Sequence, residues 1–116
     1  MTAQRVSPQL PVGLGFRRDL AEALFAAPTG GFDFVELSPE NFLGFGGRRR
    51  RLLAQAQDRW PILAHGLALS LGGRDPLEPS YLDQLAEFLE GIGTPHYSDH
   101  LCVSSADGRH SHELLP

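Results

Sequence analysis

The segment Ile62-Leu-Ala-His65 decides how the fold of this sequence is read, because it is a short apolar run that ends in a histidine. Pro61 precedes it and Gly66 follows it, and such borders are typical of a buried β-strand. Further strand candidates lie at residues 12–16, 32–37 and 97–101. Between these runs, apolar residues at helical spacing predict helices over residues 19–27, 48–59 and 79–90.

The order of these elements is strand and helix in regular alternation. This order predicts an α/β fold with a parallel sheet and right-handed crossovers. A complete eight-stranded TIM barrel needs about 250 residues, whereas the sequence has 116. We therefore expect residues 11–116 to form the N-terminal half of a barrel, with about four strands and three helices and truncated in this chain. Residues 1–10 are expected to be a flexible lead-in.

The composition excludes several classes of function. All ten basic residues are arginine, which excludes a Schiff-base lysine and a P-loop lysine. The formal net charge of −4 argues against a nucleic-acid or anionic-membrane partner. No run of about 18 apolar residues could span a membrane, and no secretory signal is evident. The single cysteine, Cys102, cannot form an intramolecular disulfide. We expect a cytoplasmic protein.

Four of the arginines form one run, residues 48–51. Such a run usually is the solvated start of a helix. The alternative is a patch that binds phosphate or a partner peptide, and the sequence leaves both interpretations open.

Polar side chains collect where the predicted strands end, which is where parallel α/β folds place their active sites. They are Glu36, Glu40 and Asn41 around the end of the second strand, His65 on the third, and Asp99 and His100 on the fourth. Because side chains alternate along a strand, His65 and His100 can both face the barrel axis, while Asp99 points toward the helices. Histidine and carboxylate together suit iron, manganese or zinc. The alternative is two histidines held in place by hydrogen bonds alone.

Other polar residues support weaker hypotheses. Glu36 lies in a mostly apolar strand, so we expect a buried carboxylate that is either functional or in a salt bridge. His96 precedes the fourth strand and is expected at the surface. His110 and His112 follow a predicted turn at Asp107-Gly108 and could share one face of an extended segment, where they could hold a metal.

Several motifs resemble one family in the same order along the chain. They are Val12-Gly-Leu-Gly-Phe16, Phe32-Asp-Phe-Val-Glu-Leu37, Pro39-Glu-Asn-Phe42, His65-Gly-Leu-Ala-Leu-Ser-Leu-Gly72, Ser98-Asp-His-Leu101 and His112-Glu-Leu-Leu-Pro116. The family is the multinuclear non-haem iron-dependent oxidases, which include the oxidase of methanobactin biosynthesis. The histidine-glycine and aspartate-histidine-leucine motifs are the specific ones, and the resemblance covers the chain from about residue 11.

The resemblance implies a TIM barrel similar to xylose isomerase that binds two or three irons. It implies that His65 and His100 are iron ligands, with the other ligands on later strands. The activity it implies is modification of cysteines in ribosomally made precursor peptides, often with a small partner protein that presents the peptide. The chain alone is then expected to be catalytically inactive, and a half barrel is expected to self-associate through its uncovered edges.

Two alternatives stay open at this point. One is a different metal enzyme on the same barrel, an isomerase or a hydrolase. The other is a non-catalytic half-barrel piece that acts in binding or structure.

Overall fold

The computed structural model describes residues 9–28 and 30–115, without the side chain of His112. Most of the predicted lead-in, residues 1–8, lies outside the described residues. Within the described ranges, no helix has the length and apolar character that crossing a membrane requires.

A parallel sheet of four strands in sequential order forms the centre of the fold. The strands are β1 (Gly13–Gly15), β2 (Phe34–Leu37), β3 (Ile62–Gly66) and β4 (Tyr97–Asp99). The helices that connect them are α1 (Ala21–Ala26), α2 (Arg48–Gln57) and α3 (Pro79–Ile92), and a short 3₁₀ helix (Pro39–Asn41) follows β2. All three strand pairs are parallel, which confirms the predicted α/β class.

The two faces of the sheet have different surroundings because side chains alternate along each strand. On one face Val35, Leu37 and Ile62 are buried in a core that also takes in residues of α1 and α2. Aromatic side chains extend this core, and the ring of Phe32 stacks on that of Trp60 with 5.0 Å between ring centroids. The opposite face carries Glu36, Leu63, His65 and Ser98, none of which is buried. We call this second surface the open face.

The helices and strands end at slightly different residues than predicted. α3 passes through Gly91 and ends at Gly93, which has a φ of 66°. Glycine is tolerated inside a helix at a cost of about 1 kcal/mol, whereas the left-handed position strongly favours it, so Gly93 forms the helix end. β4 ends at Asp99, so His100 is the first residue after the strand rather than part of it.

A hairpin follows the sheet and was only partly anticipated. Its strands are β5 (Val103–Ala106) and β6 (Arg109–Leu115), which pair antiparallel. The predicted turn at Asp107-Gly108 is confirmed, since both residues have positive φ angles, 52° and 73°. The extended geometry of residues 109–115 agrees with the prediction, but the pairing with β5 was not predicted.

The long loop between β3 and α3 holds this hairpin in place. The buried hydroxyl of Ser70 accepts hydrogen bonds from the backbone N–H groups of Ser104 and Ser105, at 2.9 and 3.1 Å. The Asp75 carboxylate accepts from the N–H groups of Asp107 and Gly108, at 3.0 and 3.1 Å. The Gly108 amide is the main reason why the pKa of Asp75 lies below its ordinary value.

Candidate functional site

Two histidines meet at the carboxyl ends of β3 and β4. The Nε2 atoms of His65 and His100 lie 2.9 Å apart, and their rings meet edge to face with centroids separated by 4.6 Å. His65 pairs with Ser98 in the register of the two strands, and its Nδ1 atom lies 2.8 Å from the Ser98 hydroxyl oxygen. The expectation that both histidines share one face of the sheet is therefore confirmed.

Two imidazole nitrogens at this separation need either one proton or one cation between them. If the Ser98 hydroxyl donates to Nδ1 of His65, then Nε2 of His65 carries the ring proton and donates it to His100. If Ser98 instead accepts from Nδ1–H, the Nε2 lone pair of His65 is free to bind a metal ion, as is that of His100 when its ring proton lies on Nδ1. Neighbouring nitrogen ligands at about 2.1 Å from one ion lie about 3 Å apart in an octahedral shell. The pair therefore fits a metal ion sterically and chemically.

The pair supplies two ligands and no more. Among the described residues, no group of three or more histidine, cysteine, aspartate or glutamate side chains could hold a metal ion. An ion bound by His65 and His100 takes its remaining ligands from water, from substrate or from another polypeptide segment.

Glu40 holds the backbone that directly follows His65. Its Oε1 atom accepts three hydrogen bonds, from the N–H groups of Leu67 and Ala68 at 2.9 and 3.1 Å and from the Tyr81 hydroxyl at 2.8 Å. Its Oε2 atom is buried and has no hydrogen-bond partner among the described residues. Glu40 thus acts on the loop after His65 rather than on the imidazole itself.

Asp99 fixes the backbone at His100 in a similar way. Its Oδ1 atom accepts from the N–H of His100 at 2.7 Å, and its Oδ2 atom accepts from the Tyr97 hydroxyl at 2.6 Å. Tyr97 and Asp99 lie over Gly66 on β3, where an added Cβ would overlap both side chains. Asp99 therefore lies on the side of the sheet opposite His100, as its position in the strand predicted, and Gly66 is required for this close approach.

The two tyrosines of this region ionise less readily than free tyrosine. Partial burial raises the pKa of Tyr81, and the hydrogen bond to Glu40 and its negative charge raise it further. Partial burial also raises the pKa of Tyr97, with the hydrogen bond to Asp99 and that charge as the next causes. Both hydroxyls therefore remain protonated donors that order the two carboxylates.

The remaining predicted residues lie elsewhere. The expectation that Glu36 is buried was wrong: it is exposed on the open face and forms no ion pair within the described part of the chain. It pairs in register with Leu63, two residues before His65, so it shares the face of the histidines without touching them. Asn41 is exposed, and its carbonyl accepts a hydrogen bond from Arg49. His96 lies at the surface, as predicted.

Sequence reasoning did not single out Ser98 or Tyr81 as parts of the site. The alternation of side chains places Ser98 on the same face as His100, but it did not show that the Ser98 hydroxyl contacts Nδ1 of His65. The contact of Tyr81 with Glu40 joins residues 41 positions apart, and the local pattern around Tyr81 shows only a helix start.

Comparison with known proteins places the chain in a family. Residues 11–116 match the family described as RiPP precursor modification enzyme MbnB/TglH/ChrH, where RiPP denotes a ribosomally made, modified peptide. A UPF0276 protein of Acinetobacter baylyi is 43% identical over 105 residues, which cover 90% of this chain and 36% of the relative. A UPF0276 protein of Neisseria gonorrhoeae is 40% identical over 105 residues, which cover 90% of this chain and 37% of the relative. The chain thus spans little more than a third of the length of these relatives. It belongs to the MbnB/TglH/ChrH family of RiPP precursor modification enzymes, as its motifs predicted.

Proposed function

We propose that this chain forms part of an iron-dependent oxidase that modifies cysteine residues of ribosomally made peptides. The observation that carries the proposal is the separation of 2.9 Å between the Nε2 atoms of His65 and His100 at the ends of adjacent strands. Membership of a family of precursor modification enzymes supports a peptide substrate. Imidazole ligands suit iron, and two or three ions of that metal are proposed for the complete site.

In this proposal, iron supplies a Lewis acid for a substrate thiolate and a centre for oxygen activation when it is bound. The residues of this chain would hold the iron and orient the side chains that bind it. Ser98 orients the ring of His65 through its contact with Nδ1, and Asp99 fixes the backbone of His100. Glu40 fixes the loop after His65. Glu36 offers a carboxylate on the same face, and Asn41 offers an exposed amide near the same edge of the sheet.

We further propose that residues 11–116 are the N-terminal half of a TIM barrel. Within the part of the chain that the structure describes, the four parallel strands leave β1 and β4 as edges and no element covers the open face. The chain then is inactive by itself, associates with copies of itself through these surfaces, and needs a longer polypeptide for catalysis. A small protein that presents the precursor peptide is the proposed partner. The free, buried thiol of Cys102 fits a reducing, cytoplasmic location.

The ligand assignment is tested by anaerobic titration of the 116-residue chain with ferrous iron, followed by calorimetry. We expect His65→Ala and His100→Ala each to weaken iron binding by about tenfold or more, because each removes one of two nitrogen ligands. His96→Ala is the matched control, since it removes an exposed histidine at the opposite end of β4. Equal affinity in all three variants and the unchanged chain would overturn the assignment.

A further inference from the structure

A cleft of about 690 Å³ opens between the segment that follows β1 and the first turn of α2. Both borders lie at the carboxyl ends of the strands, which is also the edge that carries His65 and His100. Four arginines line the cleft, Arg17, Arg18, Arg48 and Arg49, against one acidic residue, Asp19. The cleft is therefore strongly cationic in a chain whose net charge is −4.

The chain neutralises only part of this positive charge. Arg17 pairs with Asp19 at 3.4 Å, but both side chains are well exposed, and such pairs contribute little. Arg49 donates to the Asn41 carbonyl and stacks on Phe45. Within residues 9–28 and 30–115, the side chains of Arg18 and Arg48 make no hydrogen bond or ion pair. Two guanidinium groups in the cleft thus keep all their donors available.

The start of α2 adds to the positive potential. Arg48 is its first residue, the first turn contains no acidic residue, and Gly47 provides no side-chain cap. Arginine at a helix N-terminus is unfavourable, because the helix dipole is positive there. Clustered arginines in this place therefore lower the stability of the free chain, and an anionic ligand would offset that cost.

We propose that this cleft binds an acidic segment of the precursor peptide, an inference that rests on the proposed peptide-modifying function. The planar guanidinium fork matches a carboxylate with two parallel hydrogen bonds. Phe16 and Phe42 add apolar contact surface for a peptide. The overall negative charge of the chain repels a long polyanion such as nucleic acid. The cleft is small and contains Asp19, so it suits a ligand segment with only a few carboxylates.

The run of arginines at residues 48–51 also supplies the residues for a control variant. Arg48 and Arg49 line the cleft, whereas Arg50 and Arg51 are exposed outside it. A variant that loses Arg18 and Arg48 and a variant that loses Arg50 and Arg51 therefore change the net charge equally. Only the first variant removes guanidinium groups that face the proposed ligand.

The test measures fluorescence anisotropy of a labelled peptide of about four glutamates with the 116-residue chain at low salt. The double variant Arg18→Gln and Arg48→Gln is expected to weaken binding about tenfold or more, and Arg50→Gln with Arg51→Gln less than about threefold. Circular dichroism confirms that each variant is folded. Wild-type binding that falls steeply with added salt supports the electrostatic origin.

Three results would overturn the proposal: no measurable peptide binding, equal weakening by both double variants, or tighter binding of a single-stranded oligonucleotide of the same length. Displacement of the peptide by an equal concentration of inorganic phosphate would reassign the cleft to phosphate. None of these measurements involves metal, so failure here leaves the histidine assignment intact. Failure of the iron titration, in turn, leaves the binding result unchanged.

Discussion

Replacement of Glu40 by alanine tests whether one carboxylate organises the loop behind His65. The substitution removes the acceptor of three hydrogen bonds, from two backbone N–H groups and the Tyr81 hydroxyl. Each partly buried donor that loses its acceptor costs about 1–1.5 kcal/mol, and relief of the buried, unpartnered Oε2 atom offsets part of the sum. We therefore expect Glu40→Ala to lower the free energy of unfolding by about 2–4 kcal/mol.

The assay is urea denaturation of the 116-residue chain followed by circular dichroism. With a typical urea dependence of about 1–3 kcal/mol per molar, the unfolding midpoint falls by about 0.7–4 M. Glu40→Gln keeps one carbonyl oxygen as acceptor and is expected to lose only about 1 kcal/mol. Glu36→Ala is the control, because Glu36 is exposed and should change stability by about 0.5 kcal/mol or less. A loss below about 1 kcal/mol for Glu40→Ala, or equal losses for alanine and glutamine, refutes this reasoning.

Two further predictions concern pH and assembly. The chain has two tyrosines, and both have raised pKa values, so the folded chain retains phenolic protons that the unfolded chain releases above pH about 10. The free energy of unfolding is therefore expected to fall as the pH rises past that value. The tyrosinate absorbance of the folded chain should stay low there. Ionisation of either tyrosine near its ordinary pKa would contradict this prediction. Sedimentation velocity should show dimers or larger species, since Leu10, Leu101 and other large apolar side chains are exposed, and a stable, folded monomer would count against the half-barrel proposal.

The local sequence pattern was sufficient to predict the central sheet. The first three strands lie in short apolar runs between proline, glycine or polar borders that place them to within a few residues, whereas Tyr97–Asp99 is mostly polar. The alternation of side chains was also sufficient to put His65 and His100 on one face. The end of α3 was misplaced because Gly91 and Gly93 are equally plausible ends from sequence, and only the backbone conformation distinguishes them.

Contacts between distant segments explain what the sequence could not show. Glu36 was expected to be buried because its strand neighbours are apolar, but its exposure depends on whether any element covers that face of the sheet. The role of Glu40 depends on Leu67 and Tyr81, which lie 27 and 41 residues away. No spacing rule connects such positions, so the hydrogen bonds that shape the histidine pair become visible only in the folded chain.

The loop of residues 67–78 has a mechanical consequence for the site. It contains no helix or strand, yet it is attached at four points: Leu67 and Ala68 to Glu40, Ser70 to the β5 strand, Gly72 to Cys102, and Asp75 to the hairpin turn. These attachments offset part of the entropy lost in ordering an irregular segment, which is about 1–2 kcal/mol per residue for the backbone. The loop therefore connects the hairpin, through hydrogen bonds, to the backbone that directly follows His65. A substitution at the hairpin turn, although the turn lies outside the sheet, is therefore expected to disturb the backbone that directly follows His65.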